Sequence, residues 1–225
     1  MVIVSSRSVR PQIDRGFVYA SAAENCGLMD RDTIIERLTK GRAGTGRGDH
    51  DLNPDLRPEG SLVPAAVLVP LVPRDAGMTV LLTQRTDHLH DHAGQISFPG
   101  GRIEGTDPSA EDAAIRETVE EVGVEQTRIE LIGQLDPYVT RTGYAVTPVV
   151  GFVLPPFSVR PDPFEVADVF EVPLGFILDP ANLQRHSRLF EGKQRHFYAL
   201  PYRERYIWGA TAGMLVNLAQ VLNER

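Results

Sequence analysis

The chain has 225 residues, and its 30 Asp and Glu outnumber its 23 Lys and Arg, which gives a formal net charge of −7. Binding a phosphodiester backbone needs a basic surface, so this charge argues against a nucleic-acid-binding protein. Hydrophobic residues make up 42% of the chain and charged residues 24%, values typical of a globular protein with a core. At roughly 150 residues per domain the length allows one large domain or a medium domain with an appendage, and we favour the second.

Membrane and secretory segments are not expected. The longest apolar stretch, residues 62–72, is interrupted by Pro64 and Pro70 and falls short of the roughly 18 apolar residues that a membrane helix needs. The first ten residues have only a short apolar start, unlike a secretory signal. Cys26 is the only cysteine, so no disulfide can form within the chain. A cytoplasmic protein without a membrane partner is the simplest interpretation.

Residues 1–60 are predicted to form an N-terminal extension with one short helix and a glycine-rich linker. The helical pattern begins at Asp32, and its apolar side consists of Ile34, Ile35 and Leu38. Met29 directly precedes this helix, and one hypothesis is that translation starts there. The stretch 41–48 is rich in glycine and charge, which predicts a mobile connector. A phosphate-binding glycine loop is disfavoured, because no strand precedes the stretch and no Lys-Ser/Thr follows it.

From Leu62 onward, short β-rich runs are separated by Pro and Gly, which predicts a mixed α+β domain over residues 61–225. The predicted strands are Ala65–Val72, Thr79–Gln84, Gln95–Phe98, Ile129–Leu135 and Ala145–Leu154. Two helices are predicted among them, from about Ser109 to Val122 and from about Gly209 to Asn223.

The first of these helices carries an acidic cluster. Asp107 or Ser109 is suited to cap its N-terminus, and Gly123 is suited to end it, because glycine tolerates the left-handed conformation that follows a helix. At about 100° per residue, three apolar side chains share one face and three glutamates the opposite one. These two sets are Ile115, Val119 and Val122, and Glu117, Glu120 and Glu121.

The three glutamates repel one another, and each like-charge pair costs an isolated helix roughly 0.2–0.5 kcal/mol, so a cation is expected to offset the repulsion. Mg²⁺ prefers carboxylate oxygens and is often shared with substrate phosphates, which suits an open acidic cluster. A solvated acidic surface is the alternative. The glycines and the predicted strand before the helix favour the metal site.

This segment resembles the box of the Nudix hydrolase family, which consists of a glycine, an acidic residue after a spacer, and then Arg-Glu-x-x-Glu-Glu-x-Gly. The matching positions are Gly101, Asp107 and residues 116–123, Arg-Glu-Thr-Val-Glu-Glu-Val-Gly. Asp107 replaces the usual glutamate, and Thr118 stands where an aliphatic residue or alanine is usual. The spacer before Arg116 is one residue longer than in the general box.

That longer spacer is a feature of the Nudix coenzyme A pyrophosphatases, and a motif upstream resembles the same subgroup. It comprises residues 81–86, Leu-Leu-Thr-Gln-Arg-Thr, and residues 94–101, Gly-Gln-Ile-Ser-Phe-Pro-Gly-Gly. Thr86 stands where the subgroup prefers serine or alanine, and His90 where it has arginine. The resemblance covers residues 62–222 and implies the Nudix fold, an α/β/α sandwich with a mixed β-sheet between helices.

The resemblance also implies roles for the site residues. Family members hydrolyse a nucleoside diphosphate linked to another group, with Mg²⁺ or Mn²⁺ as the cofactor. The implied metal ligands are the box glutamates and one backbone carbonyl, namely Glu117, Glu121, Glu120 and Gly100. The implied catalytic base for the attacking water is Glu120 or Glu117. The implied substrate-binding residues are Arg85, Gly101 and His90, and Arg116 is implied to orient the neighbouring carboxylates.

Two further pairs of residues are weaker candidates for a role in catalysis or substrate binding. Glu165 and Glu171 lie on a later β-like run, and a carboxylate from this region assists catalysis in some Nudix enzymes. For both, a structural role is the favoured interpretation. Tyr206 and Trp208 can stack on adenine or pack in the core, and packing in the core is favoured.

The expected function is hydrolysis of coenzyme A or acyl-coenzyme A to 3′,5′-ADP and phosphopantetheine or its acyl form. A Nudix hydrolase of another nucleoside diphosphate, such as ADP-ribose, a dinucleotide or a nucleoside triphosphate, is the second interpretation, and His90 gives it weight. A non-catalytic nucleotide-binding Nudix module is the third, and the complete set of box glutamates argues against it. The sequence leaves the preferred metal, the acyl-chain preference and the formation of a homodimer open.

Overall fold

A computed structural model describes residues 29–41, 47–88, 93–190 and 192–224. The predictions for Cys26, for most of the glycine-rich linker and for His90 lie outside these residues. The helices of the described chain are α1 (Arg31–Lys40), α2 (Ala110–Val122), α3 (Leu174–Leu178) and α4 (Gly209–Asn223). Its strands are β1 (Arg47–Gly48), β2 (Val63–Arg74), β3 (Gly77–Arg85), β4 (Ile96–Ser97), β5 (Gly100–Arg102), β6 (Ile129–Gln134), β7 (Tyr138–Val139), β8 (Tyr144–Val153), β9 (Val166–Pro173), β10 (Gln184–Phe190), β11 (Lys193–Tyr202) and β12 (Arg205–Trp208).

The main sheet is mixed and contains β1 to β9. Its central strand β2 runs parallel to β8, with Val63 opposite Tyr144 and Leu71 opposite Phe152. On its other side β2 runs antiparallel to β3, and the short strand β5 also pairs with β2. This last pairing brings the glycines of β5 into the middle of the sheet, where α2 packs across them.

Helices cover both faces of the sheet, as the predicted sandwich requires. Side chains of β2 point alternately to the two faces, because successive residues of a strand face opposite ways. Val69 and Leu71 belong to the cluster formed with α1 and α4, whereas Leu68 and Val72 belong to the cluster formed with α2. A strand that is buried on both faces needs a continuous apolar run, which accounts for the sequence of residues 62–72.

The described residues of the predicted N-terminal extension pack against this domain. Ile34 and Leu38 of α1 are buried in the same cluster as the side chains of α4. Strand β1 runs parallel to β7, so Arg47 and Gly48 are part of the main sheet. The division of the chain after residue 60 stays a prediction. None of the helices in the described ranges is long and apolar enough to cross a membrane.

A second, three-stranded antiparallel sheet follows the main one, in the order β10-β11-β12. The strands predicted from the sequence did not include it. Its sequence is rich in charged and polar residues, and most side chains of β10 and β11 are only partly buried, so no clear alternating pattern marks it. Helix α3 was also missed, because five residues are too few for a helical period to show.

Candidate active site

Helix α2 carries the acidic box, and defined caps fix both its ends. Ser109 is the N-cap, and its Oγ accepts a hydrogen bond from the backbone N–H of Asp112 at 3.1 Å. Gly123 ends the helix in the left-handed conformation, with φ of 73°. Of the two N-cap candidates Ser109 is therefore the cap, and Asp107 is left for another role.

The predicted apolar and acidic faces of α2 do not coincide with its buried and exposed sides. Val119 is 37% exposed, whereas Glu121 is only 5% exposed. The side of the helix that packs on the sheet consists of Ala113, Ala114, Thr118, Glu121 and Val122. Small side chains let the helix approach the sheet closely, and Thr118 is accommodated because its hydroxyl donates to the carbonyl oxygen of Ala114 at 2.7 Å.

The Glu121 carboxylate is buried between the helix and β5. It accepts a hydrogen bond from the backbone N–H of Gly100 at 3.2 Å, and Nη1 of Arg85 lies 3.7 Å from its other oxygen. Burial raises the pKa of Glu121 to about 7, although the Gly100 hydrogen bond and the Arg85 charge oppose the shift. A buried carboxylate with so little compensation is well suited to bind a cation.

The two glycines of β5 are required by close packing. A Cβ on Gly100 would lie 2.4 Å from the carbonyl oxygen of Ala66, and one on Gly101 would lie 2.4 Å from Oε1 of Glu117. The carboxylate of Glu117 is thus held directly against the backbone of Gly101. Burial also raises the pKa of Glu117, while a hydrogen bond from Arg116 opposes the shift.

Arg116 links the box carboxylates to one another. Its Nε and Nη2 bind the two oxygens of Asp107, each at 2.9 Å, and its Nη1 binds Glu117 at 2.9 Å and Glu120 at 3.1 Å. Nη2 also donates to the carbonyl oxygen of Arg102 at 3.3 Å, at the end of β5. The hydrogen bonds from Arg116 hold the pKa of Asp107 below its ordinary value. This geometry fits the orienting role that was implied for Arg116.

The three glutamates do not converge on one point. In the part of the chain that the structure describes, no group of three or more His, Cys, Asp or Glu side chains stands ready to hold a metal ion. Glu117 and Glu120 both bind Nη1 of Arg116, whereas Glu121 accepts its hydrogen bond from Gly100. Glu120 is the outermost of the three, with 60% of its side chain exposed.

The two carboxylates of the later β-like run, Glu165 and Glu171, lie in different surroundings. Burial is the main cause of the raised pKa of Glu117 and of Glu121, and the charge of Glu165 adds to the shift in both, so Glu165 lies near the box. Glu171 instead pairs with Arg74 and accepts a hydrogen bond from Thr79 at 2.6 Å. The structural interpretation therefore fits Glu171, whereas Glu165 is placed beside the box.

A cavity of about 620 Å³ opens beside Gly100 and Gly101. Arg85 and Arg102 line it from the main sheet, and residues 47–56 and the second sheet supply other parts of its wall. Trp208 lines this cavity, and Tyr206 is 42% exposed, so neither belongs to the buried core that the sequence favoured for them. No sequence signal marked residues 47–56 as part of the wall.

Residues 62–191 match the model of the NUDIX domain, which is more than half of the chain. This chain belongs to the Nudix family. A relative from Escherichia coli K12, named "Uncharacterized Nudix hydrolase NudL", is 43% identical over 155 residues, which cover 69% of this chain and 80% of the relative. A NudL from Shigella boydii serotype 18 is 42% identical with the same coverage.

Solved Nudix structures are similar to the chain at lower identity. The MutT/nudix family protein from Enterococcus faecalis is 19% identical with a TM-score of 0.44, and the match covers 90% of this chain and 74% of that one. The C. elegans Ap4A hydrolase in a binary complex is 21% identical with a TM-score of 0.41, and covers 49% of this chain and 80% of that one.

The structure brings together most of the residues that the sequence assigned to the site. Gly100, Gly101, Glu117 and Glu121 are in contact through β5 and α2, and Arg116 and Glu120 join them at the surface. Arg85 reaches the same site from the end of β3. His90 lies outside the described residues.

Proposed function

We propose that this Nudix hydrolase cleaves the diphosphate bond of coenzyme A or acyl-coenzyme A, yielding 3′,5′-ADP and 4′-phosphopantetheine or its acyl form. The observation that carries the proposal is the pair of carboxylates, Glu117 and Glu121, held against Gly100 and Gly101 beside a large cavity. The motif over residues 81–101 supports coenzyme A as the substrate. Arg85 of that motif lies 3.7 Å from Glu121.

The residues of the site fit a hard divalent cation. All the available donors are oxygens, from Glu117, Glu120, Glu121 and the carbonyl of Gly100, which is the donor set that Mg²⁺ and Mn²⁺ accept. The buried carboxylate of Glu121 has no closer cationic partner than Arg85 at 3.7 Å among the described residues. Bound Mg²⁺ or Mn²⁺ would neutralise diphosphate oxygens and lower the pKa of the attacking water.

The side chains of the box would divide the remaining work. Arg116 fixes Glu117 and Glu120 in position through Nη1, while Asp107 holds the other edge of the guanidinium. Glu120 is the most exposed of the three glutamates, so its carboxylate is accessible to accept the proton of the attacking water, with Glu117 as the alternative base.

Arg85 would bind the diphosphate. It ends β3 with its guanidinium both at the cavity and next to Glu121, so a phosphate bound there would lie close to the carboxylates that hold the cation. A cavity of about 620 Å³ is within the range of about 300–1,000 Å³ that is typical of small-molecule sites.

The test is product analysis after incubation of the purified protein with coenzyme A and Mg²⁺ or Mn²⁺. We expect 3′,5′-ADP and phosphopantetheine, and no products after chelation of the metal. Glu121→Gln keeps the size of the side chain but removes its charge, and we expect a loss of activity of at least about 10²-fold. Glu125→Gln is the matched control, because Glu125 is exposed in the loop after α2.

Each outcome bears on a different part of the proposal. Equal activity of wild type and Glu121→Gln would overturn the carboxylate site. Cleavage of ADP-ribose, a dinucleotide or a nucleoside triphosphate but not of coenzyme A would overturn the substrate. The specific observation that favours such another substrate is His90, which stands where the coenzyme A subgroup has an arginine.

A further inference from the structure

Four side chains form a distinct part of the cavity wall. Arg141 lies in the turn between β7 and β8, Arg188 and Phe190 lie on β10, and Trp208 ends β12. The Arg141 guanidinium carbon is 4.9 Å from the centre of the Phe190 ring, and that of Arg188 is 5.6 Å from the same ring. Arg188 also lies 5.2 Å from the centre of the Trp208 ring. Two arginines and two aromatic rings thus share one corner of the cavity, which we call the arginine-aromatic corner.

The two arginines of this corner have no acidic partner in the described chain. Two other arginines of the cavity wall are paired with carboxylates, Arg47 with Asp51 and Arg195 with Asp55, whereas Arg102 donates a hydrogen bond to the hydroxyl of Tyr144. Arg141 and Arg188, by contrast, make no ion pair with any described carboxylate, and both are exposed.

The nearby carboxylate of Asp49 is occupied by other donors. It accepts hydrogen bonds from the hydroxyl of Tyr138 and from the backbone N–H of Arg141, both at 2.8 Å. It therefore positions the backbone of Arg141 without pairing with its guanidinium. Among the described residues the corner thus has two guanidinium charges without an ion-pair partner, in a protein whose net charge is −7.

The chemistry of the corner matches a phosphorylated nucleoside. Guanidinium groups bind the oxygens of a phosphomonoester in a bidentate manner, and aromatic rings stack on bases. A guanidinium group that lies over an aromatic ring keeps N–H groups with which it can bind an anion.

We propose that Arg141, Arg188, Phe190 and Trp208 form a second binding subsite for a nucleoside that carries a phosphomonoester in addition to the diphosphate. The two guanidinium groups bind the monoester, and the aromatic rings hold these groups in position. The inference rests on the proposed function for the identity of the substrate, because coenzyme A carries such a monoester on its ribose. It deepens that function by assigning the residues that separate phosphorylated from dephosphorylated substrates.

Hydrogen bonds from residues 47–56 hold the elements that carry this subsite. Asn53 is buried and exchanges two hydrogen bonds with the backbone of His196 on β11, at 2.8 and 2.9 Å. Asp49 holds Tyr138 and the turn that carries Arg141. The segment therefore connects the second sheet with the β7–β8 turn, and these two elements carry Arg188 and Arg141.

The test uses the fluorescence of Trp208, which is the only tryptophan of the chain and lines the cavity. The full chain is titrated with 3′,5′-ADP, with 5′-ADP and with 5′-AMP, without any turnover. We expect 3′,5′-ADP to bind at least about tenfold more tightly than the other two, since it alone carries a second phosphomonoester, at the 3′ position, that can accept charged hydrogen bonds from the corner. 5′-ADP has the same number of phosphates as 3′,5′-ADP, so a comparison of these two ligands distinguishes the effect of phosphate position from that of phosphate number.

Arg141→Gln and Arg188→Gln should each weaken the binding of 3′,5′-ADP by about tenfold and leave 5′-AMP unchanged. Arg141 does not contact Trp208, so its variant leaves the fluorescent group undisturbed. Arg203→Gln is the matched control, because Arg203 is exposed and lies over Tyr202 at 5.2 Å but does not line the cavity. We expect it to bind all three ligands like the wild type.

Equal affinities for 3′,5′-ADP and 5′-AMP in the wild type would overturn the subsite, as would an equal loss for all ligands in both variants. The outcome is independent of cleavage. If coenzyme A is not cleaved but 3′,5′-ADP binding depends on Arg141 and Arg188, the proposed function fails and the subsite stands. If coenzyme A and dephospho-coenzyme A are cleaved with a ratio of kcat/KM that neither variant changes, the subsite fails and the proposed function stands.

Discussion

Replacing Gly101 by alanine should separate catalysis from folding. The new Cβ would lie 2.4 Å from Oε1 and 2.6 Å from Cδ of Glu117. Ordinary contacts need about 3.5 Å, so the carboxylate must retreat by roughly 1 Å. A misplacement of that size at a reacting centre costs about 10²-fold in rate. We expect kcat to fall by this factor and the Mn²⁺ concentration needed for half-maximal activity to rise.

The fold should survive, because the displaced group is the end of a flexible side chain. We expect the free energy of unfolding to change by less than about 1 kcal/mol. Gly105→Ala is the matched control, since a Cβ there meets no atom within 4 Å, and it should retain wild-type kcat. Wild-type kcat in Gly101→Ala, or an equal loss in Gly105→Ala, would refute the role of this contact in holding Glu117.

Three other changes test separate features. Arg116→Lys cannot reproduce the forked contacts of the guanidinium, so kcat should fall about 10–100-fold in metal-dependent assays, and near-normal activity would contradict its orienting role. Asn53→Ala leaves the backbone N–H of His196 unsatisfied, and urea unfolding should show a loss of about 1–3 kcal/mol; unchanged stability would argue against the tie. Burial raises the pKa of Glu171, but the hydrogen bond from Arg74 outweighs it and the net pKa is lowered. The stabilisation relative to Glu171→Gln, about 1 kcal/mol, should therefore be present above about pH 5 and be lost towards about pH 3, which thermal unfolding at each pH measures; a constant difference would contradict the pairing.

The elements with strong local signals were predicted from the sequence. Helix α4 was placed at Gly209–Asn223, its observed bounds, because apolar residues recur along it at helical spacing. Five of the strands were located within a few residues for a similar reason, since apolar runs and turn residues bound them. The strands of the second sheet escaped prediction because their side chains are polar and half-buried, so their pairing is decided by neighbouring strands and not by a local pattern.

Within the box, the spacing of residues predicted which side chains meet, but not which of them is buried. The division of α2 into an apolar and an acidic face did not indicate that Val119 is partly exposed and that Glu121 is buried. The buried side of α2 includes Glu121 because β5 has two glycines at the contact and a backbone N–H, that of Gly100, which donates a hydrogen bond to the Glu121 carboxylate. A partner that lies in another element cannot be read from helical periodicity.

The same distinction separates the chemistry of this protein from its choice of substrate. The contacts of Arg116 reach no further than 14 residues along the chain, so the sequence of the box alone nearly specifies them. The wall of the cavity depends on contacts between residues that are far apart in the sequence. Asp49 and Tyr138 are separated by 89 positions, and Asn53 and His196 by 143. A change in the box should therefore alter the rate for every substrate, whereas a change in the wall should alter the preference between substrates.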